Sequence, residues 1–228
     1  MNSFSGLFFI AVFLSFTKPA DQVKMSDGST EIIITGTVHT ETASFNSDTL
    51  LQLIIKVKPD LILVETDSSY FTPDLELNED IKNEFPETRA ITEYKKNHKV
   101  KLHPYDINGR DVFINDFDRI SLRNEIIYRI NNLRKNRFSS DTSAVWVNYE
   151  SLIRLAYKMS DTNLAYINSG EGSFKIDSIN TFTYEGIGKL LKEVHELNGY
   201  IDFWKKEIDF WNRRNESMLE NIRIIIKE

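Results

Sequence analysis

The segment "IIITGTVHTE", Ile32 to Glu41, opens with three consecutive β-branched apolar residues and then meets Gly36. A run this apolar reads as a strand covered on both faces, as in parallel sheets enclosed by helices. "SDTLLQLIIKVKP" follows as a helix: Ser47 or Asp48 caps it, Leu50, Leu51, Ile54, Ile55 and Val57 crowd one side, and Pro59 stops it. "DLILVE" is a second short apolar run, Leu61 to Val64, closing on Glu65. Strand, helix and strand make a βαβ unit, whose crossover sets the two strands parallel. The predicted fold class is α/β, a mostly parallel sheet built from βαβ units.

Parallel strands bring their C-terminal ends to one edge of the sheet, so His39 and Glu65 are expected to emerge together. A third copy follows, with "TRAITEYKKN" as its helix and "HKVKLHPYDINGRD" as its strand, delivering Asp106 and then Arg110. In open α/β sheets ligands bind beyond these carboxyl ends. Each residue also has a structural explanation. His39 can bond a loop carbonyl, Glu65 can cap a later helix, and Asp106 can pair with Arg110 around a turn. Glu65 is the hardest to explain that way, because a carboxylate ending a buried strand is costly without a partner.

With 228 residues, 41% of them hydrophobic and 27% charged, the chain suits a single globular domain, expected over residues 30–228. A net charge of −6 and the lack of any basic block argue against a nucleic-acid partner. No cysteine is present, so disulfides and thiolate ligands are excluded and any metal must use His, Asp or Glu. "GLFFIAVFLSF", Gly6 to Phe16, has the length of an export signal and is too short to span a bilayer. "MNSFS" before it carries no Lys or Arg, and cleavage after Thr17 or Ala20 leaves an imperfect small-residue site. The expectation is a signal over residues 1–20 and a periplasmic or secreted protein with no stable membrane anchor once the signal is removed.

Two amphipathic helices are expected in the middle of the chain, in "DFDRISLRNEIIYRINNLRKNR" and "SAVWVNYESLIRLAYKM", with "NSGEGS" as a surface turn. They form a helical insertion. From Gly186 to Lys227 apolar residues recur at Ile187, Leu190, Val194, Leu197, Ile201, Trp204, Ile208 and Trp211, then after Asn215 at Met218, Ile222 and Ile225. This is a heptad seam with one polar interruption on a long C-terminal amphipathic helix. Gly199 argues against one straight helix throughout. As pure packing, the seam makes Asn215 a register-setting residue in a homodimeric coiled coil.

"TGTVHTE", its spacing to "KPDLILVE", and "WNRRNESMLENI" together resemble the TraB/GumN/TIKI family, more distantly related to the EreA-type erythromycin esterases and the haem-binding ChaN-like proteins. In that family a GxxH motif ends the first strand, a Pro-Asp-apolar-Glu segment follows one helix later, and an Arg-Asn pair lies on a late helix. Gly36 with His39, Glu65, and Arg214 with Asn215 match these in turn, and the likeness spans roughly residues 31 to 226. The family pattern continues into a further strand bearing a second GxxH, whereas this sequence ends at "IRIIIKE". The resemblance therefore implies a C-terminally shortened chain, inactive if the second histidine is required.

Two function classes remain open. The first is an exported hydrolase, a peptidase or esterase acting on a peptide or small ester. In it His39, Glu65 and Arg214 carry the chemistry, and Arg110 and Asn215 bind substrate. His39, Glu65 and Asp106 would hold a divalent metal, Zn²⁺, Mn²⁺ or Co²⁺, should one take part. The second is a non-catalytic binding or assembly protein using the same fold and the heptad seam.

Overall fold

The computed structural model describes residues 8–15, 31–42, 44–135, 137–160 and 163–227. In chain order the first elements are β1 (Phe8–Ser15), β2 (Glu31–Val38), α1 (Ser47–Val57), β3 (Leu61–Val64), α2 (Glu79–Lys82), α3 (Pro86–Lys95) and β4 (Lys101–Pro104). Then come α4 (Arg110–Ile114), α5 (Phe117–Leu133), α6 (Ser140–Ser160), α7 (Leu164–Ile167), α8 (Gly170–Thr181), α9 (Ile187–Glu193) and α10 (Ile201–Lys227). The fold is α/β, predominantly helical, with one small sheet. The chain divides into two compact units. One comprises residues up to Asn108 with Ser160–Asn168 and Met218–Glu228, the other Gly109–Met159 with Ser169–Ser217. Among the described residues no helix is long and apolar enough to cross a membrane.

The sheet-bearing unit has the strand order β2-β1-β3-β4. β3 and β4 pair in parallel, as a βαβ unit requires, while β1 runs antiparallel to both β2 and β3. Hence β2, β3 and β4 all point the same way, but only one of the three pairings is parallel. The difference comes from Phe8–Ser15, the segment expected as an export signal, which lies between β2 and β3. An apolar run of this length meets the demands of an inner strand as readily as those of a signal, and periodicity does not separate them. Residues 1–7 and 16–20 of the expected signal lie outside the described residues.

On one face of this sheet α1 and α3 bury Leu50, Ile54, Ala90 and Ile91 against Ile62, Val64 and Leu102. On the other, Ile225 with Met218 and Ile222 packs against Leu63 and Tyr105. β3 is thus covered on both faces. β2 is not: Thr35 and Thr37 are buried, but Ile34 is 61% exposed and Ile32 44%, correcting the expectation that this run is enclosed. α1 is capped one residue earlier than expected, by Asn46, whose side chain accepts from the Thr49 amide at 2.9 Å. Lys58, in the left-handed region at φ 54°, ends it before Pro59.

The helical unit buries Ile126 and Ile130 of α5, Trp146 of α6, Leu190 and Leu191 of α9 and Trp204 of α10 in one cluster. "NSGEGS" is not a turn but the start of α8, because Ser169 caps the helix by accepting from the Gly172 amide at 3.0 Å. Between α8 and α9 lies a π-helical turn, Phe182–Gly186, whose Tyr184 carbonyl accepts from Trp204 Nε1 at 3.0 Å as well as from the Ile187 amide. The continuous seam is also corrected. A 3₁₀ segment, His195–Tyr200, separates α9 from α10 and contains Gly199. Three residues per turn there reset the helical phase, so Trp204, Glu207, Phe210 and Arg214 face inward while Asn215 is exposed.

Candidate active site

The strand register fixes where the three expected edge residues stand. Val12 of β1 pairs with both Ile34 of β2 and Leu63 of β3, so Thr35 is level with Val64, the last residue of β3. β2 continues to Val38, three residues further. At about 3.3 Å per residue and 4.8 Å between strands, the end of β2 overshoots that of β3 by roughly 10 Å and stands about 10 Å to its side. His39, Glu65 and Asp106 share an edge, as the sequence implied, but not a level.

His39 faces a different carboxylate. Its Nδ1 lies 3.6 Å from Glu87 Oε1, and its ring tilts against Phe85 with centroids 5.5 Å apart. The distance is long for a hydrogen bond and within ion-pairing range. Glu87 is only 3% exposed, and its carboxylate oxygens and both His39 ring nitrogens are shut off from solvent. A charge this buried needs compensation. Part of it comes from the helix: Pro86 begins α3 and Glu87 follows in the first turn, where the macrodipole favours an anion. His39 Nδ1 stands opposite.

The chain around His39 is pinned on both sides. Upstream, Asn168 bonds both backbone groups of Gly36, accepting from its amide at 2.5 Å and donating to its carbonyl at 2.9 Å. A methyl group at Gly36 would meet Asn168 and Ile167 at 3.4 and 3.6 Å, ordinary contact distances. Downstream, Glu41 pairs with Arg89 of α3 at 2.7 Å. The hydrogen bond from Arg89, then that from the Ser47 amide, holds the Glu41 carboxyl below its ordinary value. Arg89 also lines a groove of about 260 Å³ with Ser47, Leu51, Asn83 and Thr92.

Glu65 is 2% exposed and Asp106 5%. Tyr105 donates its hydroxyl to Glu65 Oε2 at 3.4 Å, and Asp106 Oδ1 accepts from the Ile107 amide at 2.8 Å. Asp67, also buried, accepts from the Ser69 amide at 2.8 Å. His39 Nδ1 faces Glu87 rather than Glu65 or Asp106. Among the described residues no three His, Asp or Glu side chains gather into a group able to hold an ion.

The remaining expected residues belong to the helical unit. Arg214 is 3% exposed and lies over the Trp211 ring at 5.1 Å, while Asn215 faces solvent. Arg110, 8% exposed, follows Gly109 at φ 79° and reaches Asp111 Oδ1 with Nη1 at 3.1 Å. On α10, Glu207 is gripped by the Arg119 fork at 2.6 and 2.8 Å and by Arg123 at 3.2 Å. Burial pushes the nearby Tyr184 phenol above its ordinary value, with Arg123 opposing the shift.

Sequence reasoning missed Glu87 because it began the third helix at Thr88. The signal was there: Pro86 at the first helical position makes Glu87 a first-turn residue, aimed where an anion is favoured. No protein-family model matches the chain, and no curated protein or solved structure shows a significant similarity to it.

Proposed function

We propose that the chain is an exported hydrolase of TraB/GumN/TIKI type that directs water at a peptide or small ester carbonyl. The observation that carries this reading is the pairing of the GxxH histidine with a buried carboxylate. A carboxylate on one ring nitrogen leaves the other basic and correctly aimed, the arrangement general bases use. His39 takes the proton from water as its oxygen adds to the carbonyl, then returns it to the departing alkoxide or amine. Both ring nitrogens are covered, so a neighbouring group must move to admit substrate.

Hydrolysis of a panel of nitrophenyl esters and short peptides, followed by absorbance and mass spectrometry, tests this. Turnover of at least one class is expected, and a chain inert to both sinks the hydrolase reading. Export makes its own prediction. The mature protein should begin after Thr17 or Ala20, and loss of β1 would let β2 and β3 pair directly as neighbours in a mostly parallel sheet. Mass spectrometry of the protein recovered from cells decides it. A mature chain that keeps Phe8–Ser15 contradicts the signal.

A further inference from the structure

We infer that Arg89, with the start of α1, forms a subsite for a carboxylate on the substrate, and that Glu41 fills this subsite until a substrate displaces it. The inference rests on the hydrolase reading and names its substrates: short peptides or esters carrying a free carboxylate a few bonds from the scissile carbonyl. Arg89 Nη2 meets Glu41 Oε1 at 2.7 Å, and the Ser47 amide, in the first turn of α1, donates to the same oxygen at 3.5 Å. A guanidinium fork and a helix start both suit an oxyanion. Together they hold the Glu41 carboxyl below its ordinary value, Arg89 contributing more than the Ser47 amide. A carboxylate is stabilised in this seat, and the one now in it belongs to the chain.

Arg89 keeps its aim without Glu41. Its Nη1 donates to the Asn83 carbonyl at 2.9 Å and reaches that of Glu84 at 3.5 Å, so the guanidinium stays anchored when Glu41 leaves. Glu41 is exposed, and an ion pair this open to water is worth no more than about fivefold in an equilibrium, little enough for an incoming carboxylate to overcome. The groove of about 260 Å³ beside the pair, lined by Ser47, Asn83, Arg89 and Thr92, has room for the rest of a small substrate. Of the acidic residues on its walls, Glu93 is paired with Lys96 at 2.5 Å, and Asp48 is exposed, where solvent screens its repulsion. Glu41 follows His39 by two residues, so their backbones lie within about 7 Å of each other. A carboxylate seated on Arg89 therefore brings a carbonyl to His39 only in a short substrate.

The test titrates the full chain with N-acetyl-trialanine and with its C-terminal amide, following the Ser47 and Glu41 amide signals by NMR, and measures hydrolysis of both peptides by mass spectrometry. The acid is expected to shift both signals and to bind about tenfold more tightly than the amide, as loss of a charge-assisted hydrogen bond implies. Glu41→Gln removes the internal competitor and should widen the acid-over-amide preference by up to about fivefold. Arg89→Gln should erase the preference, and Arg89→Lys should keep part of it, with circular dichroism confirming that each variant is folded. Acid and amide binding alike, a preference narrowed in Glu41→Gln, or one intact in folded Arg89→Gln and Arg89→Lys overturns the inference and leaves Glu41–Arg89 as a surface clamp. Hydrolysis of both peptides with no preference for the acid does the same while retaining the hydrolase reading. Acid-selective binding that depends on Arg89, in a protein that cleaves neither peptide nor any ester, upholds the subsite and discards the hydrolase reading alone.

Discussion

Alanine in place of His39 is expected to lower ester or peptide turnover by about 10²- to 10⁴-fold, the range that a general base contributes, and also to destabilise the protein. The second effect arises because Glu87 is left as a buried carboxylate facing a void. Removing one member of a fully buried pair costs about 3–5 kcal/mol. The His39 side chain is 17% exposed, so water reaches the gap and the expected loss is nearer 1–3 kcal/mol, the desolvation cost of one stranded polar group. Adding Glu87→Gln removes the stranded charge. The double variant should therefore recover much of the lost stability while staying inactive, a dissociation readable from urea unfolding and hydrolysis on the same samples. A double variant as unstable as the single one would assign the loss to His39 packing on Phe85. Full turnover by the single variant would take the base elsewhere.

The direction of the chemistry-bearing strands was legible, because direction follows from connection length and chain handedness. β2, β3 and β4 do run one way, delivering His39, Glu65 and Asp106 to a common edge. Level was not legible, because it depends on register, and register here is set by β1, whose apolar run carries no mark separating an inner strand from an export signal. His39 and Glu65 were both visible as candidates. Their partners were not, since the carboxylate that reaches His39 comes from the start of a helix whose first turn was placed two residues late. The same limit applies on α10. The heptad count put Asn215 in the seam, whereas the 3₁₀ segment before Ile201 turns Arg214 inward. Pattern counting carries phase only through unbroken helix. Glu207 escaped notice for a related reason: a glutamate on a charged helix reads as solvated surface until three-dimensional packing brings two arginines over it.

Glu207→Ala is expected to be among the most destabilising substitutions in the helical unit. Glu207 is 1% exposed, and its two oxygens receive Arg119 Nε at 2.6 Å and Nη2 at 2.8 Å, with Arg123 Nη1 at 3.2 Å. Arg119 also donates to the Ile114 carbonyl at 3.1 Å and lies over the Phe113 ring at 4.6 Å. Those contacts fix the guanidinium, so it cannot swing out to water when its carboxylate goes. Alanine leaves a 9%-exposed cation without its counter-charge, and breaking a buried pair from one side costs about 3–5 kcal/mol. For a chain of this size that corresponds to a fall of roughly 10 °C in the melting midpoint. Glu207→Gln keeps one acceptor and should lose less. Replacing Arg119, Arg123 and Glu207 together by Met or Leu should be close to neutral, because the desolvation of all three charges is then relieved as well. Thermal unfolding followed by circular dichroism separates these cases. A loss below about 1 kcal/mol in Glu207→Ala would place the cluster in the range of a solvated surface pair and would mean that Trp204 and its apolar neighbours, not the ion pairs, hold α10 against α5.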